Sequence, residues 1–186
     1  SRGLGDVYKR QVTCRDYRCH AHVFCGENTS YIMALRMGGA APHLGMVLTK
    51  GSLSAYSIER DLKLQSNDRG CFWLHPSAQE FAPGDTMKLE WKVFPHRGRE
   101  DFREKLRAFP RVILVDAEQY VIYPGETSKV TIEPTFPAEK VTINGASLEK
   151  TENGVYEYLF ENENTGEYVL SICADEVKTT CRLLVQ

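Results

Sequence analysis

Five consecutive residues, Ser66-Asn67-Asp68-Arg69-Gly70, bring a hydroxyl, an amide, a carboxylate and a guanidinium into one short stretch. Asn and Asp close turns by bonding their own backbone, so one reading is a self-bonded loop with Arg69 paired locally. The chemical reading is a polar rim on a sugar or partner site, since Asp and Arg are natural ligands for hydroxyls. Asn67, Asp68 and Arg69 are therefore candidate carbohydrate-binding residues, and His96, in FPHRG, joins them. Trp73 and Trp91 could stack on a sugar ring. Trp73 stands between Phe72 and Leu74, and Trp91 is in phase with Met87, Leu89 and Val93, so both are expected in the core.

His75 and His96 each follow a strand-like run, where an imidazole can act as an acid or base near neutral pH. A catalytic base needs an orienting partner and a substrate position, and spacing supplies neither. Cys14, Cys19, His20, His22 and Cys25 form the densest candidate for a metal. On a strand, His20 and His22 share one face about 6.5 Å apart. Cys19 and Cys25 then fall on the other face, and the spacing is not that of a zinc finger or ribbon. No metal and no cofactor is assigned. Neither a Ser-His-Asp pattern, a phosphate-cradling glycine loop nor a nucleotide fingerprint is present, so no catalytic residue is assigned.

The elements that must position these groups are mostly strands. The chain has 186 residues, 42% of them hydrophobic and 26% charged, which is ordinary for a globular protein. With 23 Lys and Arg against 25 Asp and Glu, the balance argues against a nucleic-acid binder. No apolar run approaches the roughly 18 residues that span a bilayer. Short alternating runs separated by turn signals predict an all-β fold. Thr86 to Val93 is expected as a strand with Met87, Leu89, Trp91 and Val93 inward. Cys71 to Leu74 is expected as a strand covered on both faces, and Tyr31 to Met37 and Gly45 to Leu48 as further strands. One helix is expected at about 100–109, where Phe102, Leu106 and Phe109 recur at helical spacing and Pro110 stops it.

After a boundary near 108–111, strands around Val130, Val141 and Tyr156 alternate with turns such as Asn144-Gly145 and Asn153-Gly154. That rhythm predicts a β-sandwich. NTGEYVLSI resembles the tyrosine corner of immunoglobulin-like domains, with Tyr168 near the start of a late strand. Strand phase places Cys173 and Cys181 on opposite faces, which argues against a bridge between them.

The runs APHLGMVLTKGSLSAYSIERD, SNDRGCFWLHP and FAPGDTMKLEWKVFPHRGREDF resemble the terminal part of a galactose-mutarotase-like β-supersandwich found in large bacterial carbohydrate-active proteins. The resemblance implies an immunoglobulin-like module next in the chain, then an (α/α) toroid of the six-hairpin glycosidase type that carries the catalytic groups. Residues 12–109 are expected as the trailing part of a supersandwich with a terminal helix, and 110–186 as an immunoglobulin-like sandwich. Residues 1–11, SRGLGDVYKRQ, read back into codons as a sequencing-library adapter, so natural sequence is expected only from Val12, with the protein's true start missing.

The resemblance implies a non-catalytic β-domain fragment of a bacterial glycoside hydrolase or polysaccharide lyase, supporting a catalytic toroid outside this chain. The expected partners are that domain and a polysaccharide, with no nucleic acid and no membrane span. The expected location is secreted or periplasmic. The alternative is an adhesin-like module that binds carbohydrate or protein with no enzyme attached.

Overall fold

The computed structural model describes residues 19–36, 38–60 and 70–186. Asn67, Asp68, Arg69, Cys14 and the adapter-like residues 1–11 lie outside them. Strands form in chain order as β1 (Cys19–Gly26), β2 (Thr29–Arg36), β3 (His43–Lys50), β4 (Leu53–Arg60), β5 (Gly70–Pro76) and β6 (Glu90–His96), followed by helix α1 (Arg99–Leu106). Then come β7 (Ile113–Ala117), β8 (Val121–Ile122), β9 (Thr127–Pro134), β10 (Val141–Ile143), β11 (Ala146–Ser147), β12 (Tyr156–Glu161), β13 (Gly166–Ala174) and β14 (Val177–Val185). The fold is all-β with one short helix among the described residues. Among the described residues no helix is long and apolar enough to cross a membrane. The chain divides into two compact units, one drawn from Ser1–Cys25 and Ser30–Arg107, the other from Gly26–Thr29 and Ala108–Gln186.

In the first unit, four strands form a sheet in the order β1-β2-β3-β6. β3 pairs antiparallel with both β2 and β6, placing His43 opposite His96, Gly45 opposite Phe94 and Val47 opposite Lys92. Side chains alternate across a sheet, so these residues share one face with Tyr31 and Met33 of β2. Helix α1 covers that face. Phe102 stacks on Phe94 with ring centroids 5.6 Å apart and meets Tyr31 edge-on at 5.8 Å. Gly45 makes this possible: a Cβ there would lie 2.5 Å from Phe94 Cε2 and 2.9 Å from Phe102 Cε2.

Two sequence expectations are corrected here. The strand expected from Thr86 begins only at Glu90, and Val93, expected inside, is 59% exposed. β6 carries apolar residues on both faces, and the helix packs on the Phe94 side, so Phe94 and His96 turn inward instead. The helix, expected to reach Phe109, ends at Leu106, which is fully buried. Its N-cap, Gly98, has no capping side chain. Instead the Asp101 carboxylate accepts the Arg97 amide at 2.7 Å, a bond that, ahead of the nearby Lys105, lowers the pKa of Asp101.

β4 and β5 form a separate two-stranded ribbon. Tyr56 faces Leu74 and Ile58 faces Phe72, while Ser57 faces Trp73 and Ala55 faces His75. The Cys71–Leu74 segment, expected to be covered on both sides, is not: Phe72 is 40% exposed and Trp73 54%.

The second unit is a sandwich of two sheets, β12-β9-β7 and β11-β10-β13-β14-β8. The inward-pointing residues of both sheets, including Val130, Ile132, Ile143, Phe160, Leu170, Ile172 and Leu183, make one continuous core. β10 and β11 are joined by Asn144-Gly145, both at positive φ (49° and 85°), the geometry a two-residue hairpin turn requires. The Gly26–Thr29 turn belongs to this unit. Thr29 Oγ1 accepts the buried Ile113 amide at 3.0 Å, and Asn28 exchanges two bonds with Lys178, through its amide at 3.1 Å and its Oδ1 at 3.0 Å. Tyr168 Oη lies 2.9 Å from the Asn164 carbonyl and 3.0 Å from Asn162 Oδ1, sharing its one proton between them. A tyrosine returning its hydroxyl to backbone a few residues upstream is the tyrosine-corner arrangement.

Candidate functional site

Two groups of side chains in the first unit carry chemistry, one buried and one exposed. The buried group is His43 with His96. Strand pairing places the two imidazoles opposite one another, with ring centroids 5.3 Å apart. His43 Nδ1 accepts the Arg36 amide at 3.1 Å, so the proton of neutral His43 resides on Nε2. His96 Nδ1 lies 3.0 Å from the Gly98 carbonyl. A carbonyl only accepts, so Nδ1 is the donor and Nε2 keeps its lone pair in the neutral ring. That Nε2 is buried without a hydrogen-bond partner. Phe102 packs edge-on against His96 with centroids 5.1 Å apart. Burial first, then the charges of His96 and Arg36, hold His43 below the usual histidine range.

His96, read from sequence as a carbohydrate-rim residue, is only 1% exposed. The structure places its ring beneath α1, because the helix covers the face on which His43 and His96 pair. His20 and His22 are exposed on β1. The pKa of His22 is lowered by partial burial, then by Arg99 and His20. Among the described residues no group of three or more His, Cys, Asp or Glu is arranged to hold a metal.

The exposed group lies on one face of the β4–β5 ribbon. Ser57 Oγ and His75 Nε2 are 2.8 Å apart, and either can donate. Trp73 stands directly opposite Ser57 and two residues from His75, on the same face. An indole beside a hydroxyl and an imidazole offers an apolar plane with hydrogen-bonding groups along its edge. Sequence reasoning missed this group because Trp73, flanked by Phe72 and Leu74, reads as core. The available signal was the period-two alternation, which aligns Trp73 with His75 rather than with its apolar neighbours.

In the second unit, Cys173 and Cys181 are free thiols on β13 and β14, Cys173 half-buried and Cys181 buried. Burial, with the charge of Asp116 second, pushes the Cys181 thiol up to about 11. Such a thiol is a packing group rather than a nucleophile.

No family model matches the chain, and no curated protein matches it significantly. A solved structure of a polysaccharide lyase is similar to it, with a TM-score of 0.81 and 32% identity. The match covers 95% of this chain but 27% of the lyase, so this chain spans about a quarter of the length of the protein it resembles.

Proposed function

We propose that this chain is a β-domain segment of a carbohydrate-processing protein of the polysaccharide lyase or glycoside hydrolase type. Within that protein its role is structural, supporting a catalytic domain outside the 186 residues. The observation that carries this reading is the likeness to a polysaccharide lyase over 95% of the chain at 32% identity. In the second unit, β9 lies between β7 and β12, and β13 lies between β10 and β14. That order, with the Tyr168 corner, supports reading 110–186 as an immunoglobulin-like sandwich. The β1–β6 region is read as the trailing part of a supersandwich, and the parent protein as secreted or periplasmic.

The test is to recover the complete reading frame from the source DNA and assay both forms on acidic and neutral polysaccharides. The full-length protein is expected to release unsaturated uronate or new reducing ends, and the 186-residue chain to release neither. Cleavage by the chain alone overturns the supporting role. A reading frame that continues as further sandwiches or an anchor, with no catalytic domain, favours an adhesin-like binding module instead.

A further inference from the structure

Two turns of the second unit carry the dipeptide Asn-Gly: Asn144-Gly145 between β10 and β11, and Asn153-Gly154 ahead of β12. Asparagine is thermolabile, and most so before glycine, whose missing side chain leaves its amide nitrogen open to attack the asparagine. The reaction needs no enzyme. The Gly nitrogen gives up its proton and bonds to Asn Cγ, the Cγ–Nδ2 bond breaks, and Nδ2 leaves with that proton as ammonia. Water then opens the five-membered imide at either carbonyl. Its proton returns to the Gly nitrogen, and its hydroxyl completes a carboxyl group that ionises. The product is aspartate, or isoaspartate with the main chain running through Cγ. Water enters, ammonia leaves, and nothing is oxidised or reduced. Ring closure needs an asparagine side chain free to swing and a main chain free to turn with it.

The fold treats the two sites differently. Asn144 is fastened twice to Ser171 of β13: its amide donates to the Ser171 carbonyl at 2.8 Å, and its Oδ1 accepts the Ser171 amide at 2.9 Å. Its neighbour Ile143 is 1% exposed and pairs with Ile172 in the sandwich. Closing the ring at Asn144 therefore breaks the Oδ1 bond and turns a backbone joined directly to a core side chain. At Asn153 the side chain makes no hydrogen bond among the described residues, and Glu152, Asn153 and Gly154 are all exposed. Here it is the attacking nitrogen that is held, with the Gly154 amide donating to the Thr151 carbonyl at 2.9 Å. Releasing that bond moves only exposed turn residues, and openings of this kind lie at the low end of local stability. We propose that Asn153 is a self-modification site, converting to aspartate and isoaspartate in the folded chain, while Ser171 protects Asn144. Each event adds a negative charge beside Glu152. Isoaspartate also lengthens the turn that the Thr151 amide closes on the Val155 carbonyl at 2.8 Å. The assignment is independent of the carbohydrate-processing reading.

The test incubates the 186-residue chain in warm, mildly alkaline buffer, folded or in urea, followed by trypsin digestion and mass spectrometry. Cleavage after Lys140, Lys150 and Lys178 puts the two sites on separate peptides, 141–150 and 151–178. Fragment ions distinguish Asn153 from Asn162 and Asn164 within the second, and reversed-phase retention separates aspartate from isoaspartate. In the folded chain Asn153 should convert about fivefold or more faster than Asn144, the order expected from one held hydrogen bond. In urea, where Ser171 no longer holds Asn144, that ratio should collapse. Asn153→Gln should remove most of the acidic species that native isoelectric focusing resolves. Equal or faster conversion at Asn144 in the folded chain overturns the proposal. So does a ratio unchanged in urea, which places the difference in local sequence rather than in the fold. Conversion at Asn153 no faster than at Asn162 or Asn164, or acidic species that persist in Asn153→Gln, overturns it as well.

Discussion

His43 and His96 show how two ionisable side chains can serve a core. Each is a polar group at a site where burial without partners would cost about 1–3 kcal/mol. His43 is satisfied by the Arg36 amide, and His96 by the Gly98 carbonyl at one nitrogen only. Because His43 is held below its ordinary value of 6.5, the unfolded chain binds a proton at pH values where the folded chain does not. Stability from this residue is therefore complete above the unfolded value and is lost as pH falls below it towards the folded one. Urea unfolding of the first unit should be flat from about pH 8 to 7 and should shift to lower urea between about pH 6.5 and 5. His43→Gln keeps an acceptor for the Arg36 amide but does not titrate, so it should flatten the decline. An unchanged decline in that variant would assign the pH dependence to other groups.

At the scale of elements, α1 is held to its sheet by a ring cluster built around a residue with no side chain. Phe102 touches Phe94, Tyr31 and His96, and Gly45 provides the space under two of those rings. Adding a methyl group at Gly45 overpacks this contact, which ordinarily costs about 1–3 kcal/mol. Gly45→Ala should therefore lower the urea midpoint of the first unit. In a Phe102→Leu background, where one crowding ring is gone, the same substitution should cost clearly less. Additive costs across that double-mutant cycle would show that the Phe102 ring is not the source of the strain. The β4–β5 ribbon is the contrasting element: a two-stranded hairpin alone is marginal in water, and its large apolar residues are exposed on both faces.

The two units differ in how they place their apolar surface. All the residues of the continuous sandwich core lie between Ile113 and Val185. In the first unit, Leu44 (54%) and Val93 (59%) leave the second face of the β1-β2-β3-β6 sheet partly open, and the ribbon adds Ile58 and Trp73. Large exposed apolar side chains of this kind favour association. Expressed alone, residues 110–186 should give a soluble monomer with a cooperative thermal transition. That transition should be lower than in the whole chain, since Ile113 and Lys178 lose the Thr29 and Asn28 acceptors. Residues 12–109 alone should aggregate. A soluble, cooperative melt of 12–109, followed by circular dichroism and light scattering, would show that part to be a complete domain.

The amino-acid sequence by itself determined what local periodicity and turn chemistry can specify. Alternation placed the strands of the sandwich and set Cys173 outward and Cys181 inward. Asn144-Gly145 marked a hairpin because only such residues accept positive φ on both sides of a tight turn. Helical spacing of Phe102 and Leu106 marked α1, although its end came a turn earlier than Phe109 suggested. Tertiary structure decided everything that depends on which face is covered. β6 has apolar residues on both sides, so only the docking of α1 turned Phe94 and His96 in and Val93 out. Trp73 is hydrophobic enough for a core, yet on the ribbon it is 54% exposed. The pairing of His43 with His96, residues 53 positions apart in the chain, is a matter of strand register. Register is a long-range property: it depends on which strands meet, and a local pattern carries no record of its partner.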